Sequence, residues 1–138
     1  MAKSLAELEK IVEKLAAIIE APASLLPTYE RSLDGAHPHV EADLAGMWHY
    51  VIVERGQELE RKATGDLDDL LYWIFANVTF SMAVKYEGKT RVSGQDFRRI
   101  MFQKQEELLG KLNENWQRRE VEEHRLILEK HPFDDKQF

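Results

Sequence analysis

The sequence predicts an α+β domain with the order helix, four strands, three helices. Apolar residues recur every three or four positions near both ends of the chain, which is typical of amphipathic helices. The middle of the chain is instead divided into short segments by Asp34-Gly35, Ala45-Gly46 and Arg55-Gly56. With 138 residues and no linker, repeat or low-complexity segment, residues 1–138 are expected to form one domain.

The first helix is expected to begin at Ser4, because a serine followed three residues later by Glu7 forms a capping box. Apolar residues then form a single stripe, which consists of Leu5, Leu8, Val12, Leu15 and Ile19. The stripe spans only about two heptads, so packing against the protein's own core is favoured over a coiled coil. Pro22 is expected to end this helix.

Four strands are expected at residues 27–32, 38–43, 47–55 and 57–63. Both alternating sets of side chains in the third segment are largely apolar, which predicts a central strand of an antiparallel meander. Asp-Gly at 34–35 supplies the positive φ values that a tight hairpin needs. Pro27 and Pro38 fit strand starts or a sheet edge, since proline cannot donate a ladder hydrogen bond.

The helical period returns at Asp66, and thirteen of the nineteen residues between Asp66 and Val84 are apolar. A helix that is apolar on nearly all sides is predicted to be buried between the sheet and the other helices. Gly88 is expected to cap its C-terminus, with Lys89 near the negative end of the helix dipole. The three helices after the strands are all expected to pack on the sheet.

The last two helices are predicted from their caps. Ser93 followed by Asp96 is a second capping signal. Asn113 is a good N-cap for a helix that is expected to run to about Lys130 and to stop before Pro132. Five aromatic residues are expected to face the core, namely Trp48, Tyr50, Trp73, Phe75 and Phe97.

The acidic residues are concentrated in the strand region. The chain has 19 Lys and Arg against 25 Asp and Glu, a formal charge of −6, and its pI is about 5.4. Residues 30–43 and 54–69 each carry −3, whereas residues 85–104 carry +4. Domains that bind nucleic acid typically have a pI above about 9. We therefore expect no nucleic-acid partner and favour a partner protein with a basic surface.

Composition also limits the chemistry and the location of the protein. The chain has no cysteine, which excludes disulfides, thiolate zinc sites and thiol nucleophiles. Its longest uninterrupted apolar run, Leu70–Ala76, has seven residues, whereas a membrane-spanning helix needs about 20. The first residues carry no visible signal peptide, so a cytoplasmic protein without membrane contact is expected.

Several motifs suggest chemistry but fail on spacing. Residues 83–90 (AVKYEGKT) match the loosest phosphate-binding loop, yet that loop must follow a buried strand and this segment follows a predicted helix. His37 and His39 are only two imidazoles, whereas a zinc site needs at least three protein ligands, so we expect loop histidines. His124 borders an apolar stripe and is expected to be a packed helix residue, with Glu120 as its candidate partner.

No catalytic residue is predicted. No Gly-x-Ser-x-Gly motif surrounds a serine, and no spacing singles out a pair of carboxylates. No metal or other cofactor is expected.

Four short segments carry a resemblance to known proteins. They are Tyr50–Lys62 (YVIVERGQELERK), Leu71–Phe75 (LYWIF), Gln95–Arg99 (QDFRR) and His131–Asp135 (HPFDD). Together with the order of strands and helices, which extends the likeness over residues 25–135, they resemble the immunity protein 63 family of bacterial polymorphic toxin systems. The resemblance implies a protein that binds and neutralises a cognate toxin domain in the cytoplasm of the producing cell. It implies no catalytic residues.

An inhibitor of this kind needs a rigid face and complementary charge rather than chemistry of its own. We hypothesise that the acidic strands and their turns meet a basic cleft of the toxin domain. The candidate binding residues are Glu30, Asp34, Glu41, Asp43, Glu54, Glu58 and Glu60.

Other interpretations stay open at this point. Five charged residues in the resembling segments could contact the partner, although we favour partly buried ion pairs between the sheet and the third helix. They are Glu54, Arg55, Asp96, Arg98 and Arg99. A small hydrolase or metal-dependent enzyme would use histidines and carboxylates brought together by folding. An adaptor or regulator of another protein would share the same sequence features.

Overall fold

A computed structural model describes residues 3–137 of the chain. Its elements are helix α1 (Leu5–Ile18), strands β1 (Thr28–Tyr29), β2 (His39–Ala42), β3 (Trp48–Glu54) and β4 (Gln57–Thr64), and helices α2 (Leu67–Thr90), α3 (Arg98–Leu112) and α4 (Glu114–Lys130). Single turns of 3-10 helix lie at Ala23–Leu25 and Asp135–Gln137. The predicted α+β class and the order of helix, four strands and three helices are confirmed. The chain divides into two compact units, one ending at Phe75 and the other beginning at Ala76, inside α2.

The sheet of the first unit is mixed, so the prediction of a fully antiparallel meander is wrong. β2, β3 and β4 are antiparallel neighbours, but β1 runs parallel to β2. A tight hairpin at residues 34–35 would have reversed the chain after β1. The connection instead loops towards the far end of β3, where Ala36 N–H donates to Val53 O at 2.9 Å. The carboxylate of Asp34 also binds the β3–β4 turn rather than β1.

The first helix begins as predicted. Ser4 Oγ accepts Glu7 N–H at 3.1 Å, and Glu7 Oε1 accepts Ser4 N–H at 3.2 Å, which completes the capping box. From the predicted stripe Leu8, Val12 and Ile19 are buried. The helix therefore turns an apolar face towards the core of the first unit.

The third strand is central, as predicted, because β3 pairs with β2 on one side and with β4 on the other. Trp48, Tyr50 and Val51 of this strand are buried. Pro27 and Pro38 directly precede β1 and β2, where a missing N–H costs no ladder hydrogen bond.

Helix α2 differs from its prediction in two respects. It continues to Thr90, so Gly88 lies inside the helix and is not its C-cap, and residues 83–90 form no phosphate-binding loop. Its C-terminal half is also less buried than expected, since Phe80 is 46% and Val84 44% exposed. Apolar composition on all sides predicted complete burial, but neighbouring elements cover only part of this long helix.

Helix α3 begins at Arg98, and the side chain that caps it belongs to Asp96 rather than to Ser93. Asp96 Oδ1 accepts Arg98 N–H at 3.0 Å. Phe97 sits at the helix start with 36% of its surface exposed, so its predicted place in the core is wrong. Among the other four aromatic residues, Trp73 is half-buried and the rest are buried.

Helix α4 follows its prediction closely. Asn113 Oδ1 accepts the backbone N–H groups of Asn115 at 2.8 Å and of Trp116 at 3.2 Å. The helix ends at Lys130, two residues before Pro132. In the described part of the chain, no helix has both the length and the apolar composition needed to cross a bilayer.

Candidate functional site

The seven predicted binding residues all lie on the strands of the first unit or on the loops that join them. Because side chains alternate along a strand, the pairing registers place Glu41 and Glu58 on one face of the sheet and Glu60 on the other. Asp43 lies in the β2–β3 turn and Asp34 in the β1–β2 loop. The acids therefore surround the sheet rather than form a single cluster.

One face of the sheet carries a network that we call the polar face, which consists of His39, Glu41, His49, Glu58 and Arg61. The guanidinium of Arg61 binds Glu58 through two hydrogen bonds, from Nε at 2.8 Å and from Nη2 at 2.9 Å. Its Nη1 donates to Glu41 Oε1 at 3.1 Å, while His39 Nε2 lies 2.7 Å from Glu41 Oε2. These hydrogen bonds, first from His39 and then from Arg61, lower the pKa of Glu41. Hydrogen bonds from Arg61 likewise lower the pKa of Glu58, so the carboxylates of Glu41 and Glu58 are both ionised near neutral pH.

The β2–β3 turn is fixed by the carboxylate of Asp43. Oδ1 accepts the backbone N–H groups of Ala45 at 2.9 Å and of Met47 at 3.0 Å, and Oδ2 lies 2.8 Å from His49 Nε2. The hydrogen bond from His49 is the main cause of a lowered pKa for Asp43. The turn presents Leu44, whose relative exposure of 109% means that it contacts nothing beyond its chain neighbours.

The two histidines of the polar face each turn Nε2 towards a carboxylate. Their Nε2 atoms face ionised carboxylates, so each Nε2 carries the hydrogen that is donated. The Nδ1 atoms of His39 and His49 are buried and find no hydrogen-bond partner among the described residues. Of the two predicted loop histidines, His37 does lie in the β1–β2 loop, where its Nε2 lies 2.8 Å from Leu26 O. His39 belongs instead to strand β2 and faces Glu41, so its prediction as a loop residue is wrong.

The β3–β4 turn is held from outside the hairpin. Asp34 accepts the backbone N–H groups of Arg55 at 3.1 Å and of Gly56 at 3.0 Å. Both turn residues have positive φ, 54° and 73°, which suits a two-residue hairpin. Glu30 and Glu54 are exposed and form no ion pair within the described residues, so their charges face solvent.

The edge strand β4 presents its own acids and bases to solvent. Residues 57–61 are all exposed. Glu60 Oε1 lies 3.5 Å from Lys62 Nζ, which also sits 4.9 Å from the ring centroid of Trp73 and 5.5 Å from that of Tyr50. Lys62 thus partly offsets the charge of Glu60.

The charged residues of the second unit have structural partners. The buried carboxylate of Asp96 accepts hydrogen bonds from Arg98 Nη2 at 2.8 Å and from Asp134 N–H at 3.1 Å. Arg98 also donates to His131 O at 2.8 Å, and Arg99 Nε donates to Asp135 Oδ1 at 3.0 Å. These contacts fix the segment after α4 to the start of α3, and the hydrogen bonds to Arg98 lower the pKa of Asp96 strongly.

A buried polar cluster between α3 and α4 was not predicted as a group. His124 Nδ1 lies 2.6 Å from Glu106 Oε2, and its Nε2 lies 3.1 Å from Gln105 Oε1 and 3.4 Å from Glu120 Oε2. The predicted partnership with Glu120 is confirmed. The ring of Phe102 stacks on the imidazole with centroids 3.9 Å apart. The two carboxylates lie on opposite sides of the imidazole, so they converge on no shared position.

The described residues contain no group of three or more His, Asp or Glu side chains placed to hold a metal ion. The polar face, the two turns and the edge strand instead offer exposed charge and backbone on a hydrogen-bonded frame. Such a surface suits recognition of another protein.

Comparison with known proteins gives a family match. A family model described as Immunity protein 63 matches residues 45–126, which extend from the β2–β3 turn into α4. Three of the four resembling segments lie within the matched residues, and His131–Asp135 lies outside them. No curated protein and no solved structure matches the chain.

Proposed function

The chain belongs to the immunity protein 63 family, and from that premise we propose that it binds a cognate bacterial toxin domain and neutralises it by steric and electrostatic blocking. The toxin is proposed to be part of a polymorphic toxin system, and the complex to form in the cytoplasm of the producing cell. The protein itself is proposed to act as one domain without catalysis, cofactor, nucleic acid or membrane.

The observation that carries this proposal is the location of the charge. Residues 30–69 contain ten acids and four bases, a net charge of −6 that equals the formal charge of the whole chain. A protein surface of this sign attracts a basic partner and raises the rate of association. The toxin domain is therefore proposed to present Lys and Arg side chains around the site that is blocked.

The seven acids contribute unequally to this potential. Glu30 and Glu54 face solvent without an ion pair in the described residues. Asp34 accepts only backbone N–H groups, so its negative charge is not offset by a neighbouring cation. Glu41 and Glu58 share Arg61, which offsets part of their charge. Glu30 and Glu54 are accordingly the first residues to reverse.

The test is protection of cells that express the toxin domain encoded in the adjacent reading frame. The wild-type chain is expected to restore growth and to be captured by the purified toxin domain. The double variant Glu30→Lys/Glu54→Lys is expected to bind at least tenfold more weakly, with an unchanged melting temperature. The matched control is Glu114→Lys/Glu129→Lys, which makes the same charge change on the exposed side of α4 and is expected to bind as the wild type does.

Two outcomes would contradict the proposal. Cells that die at the same rate with and without the wild-type chain would remove the function itself. Equal binding by the strand variant, together with loss of binding in the α4 control, would place the contact on the helices instead.

A further inference from the structure

The tip of the β2–β3 turn is an apolar projection from an acidic surface. Residues 42–46 are all exposed and have the sequence Ala-Asp-Leu-Ala-Gly, in which Asp43 is the single charged residue. Leu44 stands at the centre of this tip with a relative exposure of 109%. Other exposed large apolar side chains of the described residues keep part of their surface covered, since their exposure lies between 36% and 59%.

Leu44 has no packing role in the folded chain. Transfer of a leucine side chain from water into an apolar environment is favoured by an equilibrium constant of about 10 to 100. This favourable transfer does not contribute to folding, because the side chain touches no other part of the protein. Burial of Leu44 can therefore contribute only to the binding of a second molecule that covers the tip.

The tip is also held in one conformation before any partner arrives. Asp43 N–H donates to Met47 O at 3.0 Å and Gly46 N–H donates to Asp43 O at 3.2 Å, in addition to the three contacts of the Asp43 carboxylate. A preformed loop loses little conformational entropy on binding. The backbone at Leu44 is thus held in place by the turn, while its side chain extends into solvent.

We propose that Leu44 is the apolar anchor of the interface and inserts into an apolar pocket of the toxin domain that is bordered by Lys or Arg side chains. This inference rests on the proposed function and names the partner chemistry at one place on the surface. The cationic border follows from charge complementarity with residues 30–69 as a whole, whose net charge is −6. The two acids nearest the tip contribute only part of it, since Asp43 contacts His49 and Glu41 binds Arg61. A central apolar anchor surrounded by polar contacts is a common arrangement of binding energy at interfaces.

The experiment measures the affinity of the purified full chain for the toxin domain encoded in the adjacent reading frame. Leu44→Ala is expected to weaken binding at least tenfold and to leave the melting temperature unchanged. Leu126→Ala is the matched control, because Leu126 is also an exposed leucine, at 45%, but lies on α4, which carries none of the candidate binding residues. This control is expected to bind within twofold of the wild type.

Two further substitutions test whether binding depends on an apolar side chain of this size at position 44. Leu44→Met keeps a side chain of similar volume and is expected to retain most of the affinity, whereas Leu44→Asp is expected to lose more than Leu44→Ala. If Leu44→Ala binds as tightly as the wild type while cells remain protected, the anchor is wrong and the proposed function stands. If the wild-type chain does not bind the toxin domain at all, both proposals are wrong.

Discussion

The carboxylate of Asp34 accepts a hydrogen bond from the backbone N–H of Gly56 at 3.0 Å, although 22 positions separate the two residues. The same carboxylate accepts Arg55 N–H at 3.1 Å. One side chain in the β1–β2 loop therefore binds both donors of the β3–β4 turn. This contact ties the parallel strand β1 and its loop to a hairpin that lies two strands away.

Asp34→Ala should lower the free energy of unfolding by about 1–2 kcal/mol, because it removes both hydrogen bonds at a position with a φ of 59°. Asp34→Asn should lose roughly half as much, since asparagine tolerates positive φ and keeps one acceptor oxygen. Urea unfolding monitored by tryptophan fluorescence measures both. Glu30→Ala is the control, since this exposed glutamate also has positive φ, at 66°, and should change stability little. Equal losses in all three variants would show that the Asp34 contact is not specific.

Asp34 also shows how far the sequence predicts this fold. The Asp-Gly pair correctly indicates a turn with positive φ, and all four strands overlap their predicted segments, although β1 covers only Thr28–Tyr29 of residues 27–32. The pattern does not indicate which strand the loop will bind, because that choice depends on a contact 22 residues away. The parallel pairing of β1 with β2 accompanies this long connection, whereas the local Asp-Gly pattern predicts a reversal of the chain.

The candidate site, like the fold, is predicted only in part from the sequence. The sequence predicts where the acids lie and what sign of charge they give to the strand region. It does not predict that Glu41 and Glu58 share Arg61, since that pairing depends on the sheet register and on the bulge between Ile52 and Val53. Leu44 was missed because a turn residue has no periodicity that would single it out.

Gly88 and Gly110 both lie inside helices and should respond in opposite ways to alanine. A Cβ at Gly88 would meet no heavy atom within 4 Å, whereas a Cβ at Gly110 would overlap the side-chain amide of Gln117. Gly88→Ala should raise the free energy of unfolding by about 0.5–1 kcal/mol through helix propensity. Gly110→Ala should not, because Gln117 must release its 3.0 Å hydrogen bond to Glu106 O. Urea denaturation measures both changes.

A double variant supplies the control for this pair. In Gly110→Ala/Gln117→Ala the overlapping side chain is absent, so the alanine should recover its gain relative to Gln117→Ala alone. A gain at Gly110 in the wild-type background equal to the gain at Gly88 would contradict the predicted overlap.

Asp96 should make stability depend on pH in the acid range. Its carboxylate is buried and hydrogen-bonded to Arg98, which lowers its pKa in the folded state. The unfolded chain then binds the proton more readily, so the stabilisation is complete above the unfolded pKa of about 3.9 and is lost as pH falls towards the folded pKa. Asp96→Asn should cost about 3 kcal/mol at pH 7, and its deficit should shrink below about pH 4.

Denaturant titrations at pH 7, 5, 4 and 3 measure this deficit. Asp135→Asn is the control, because Asp135 also has a lowered pKa and an arginine partner but is exposed to solvent. Its deficit should be smaller at pH 7. A deficit for Asp96→Asn that is constant from pH 7 to pH 3 would show that the buried charge is not its cause.

His124 should matter far more to stability than the adjacent Arg125, although both make polar contacts with two carboxylates. The imidazole is buried against Phe102 and contacts Glu106 and Gln105, whereas Arg125 pairs with glutamates on the exposed side of α4. His124→Leu should lower the free energy of unfolding by about 2–4 kcal/mol, because Gln105 Oε1 loses this donor inside the protein. Arg125→Leu should cost less than about 1 kcal/mol. Thermal and urea unfolding of the two variants measure these changes in the free energy of unfolding. Similar decreases in both variants would mean that the cluster between α3 and α4 stabilises the second unit no more than a surface ion pair does.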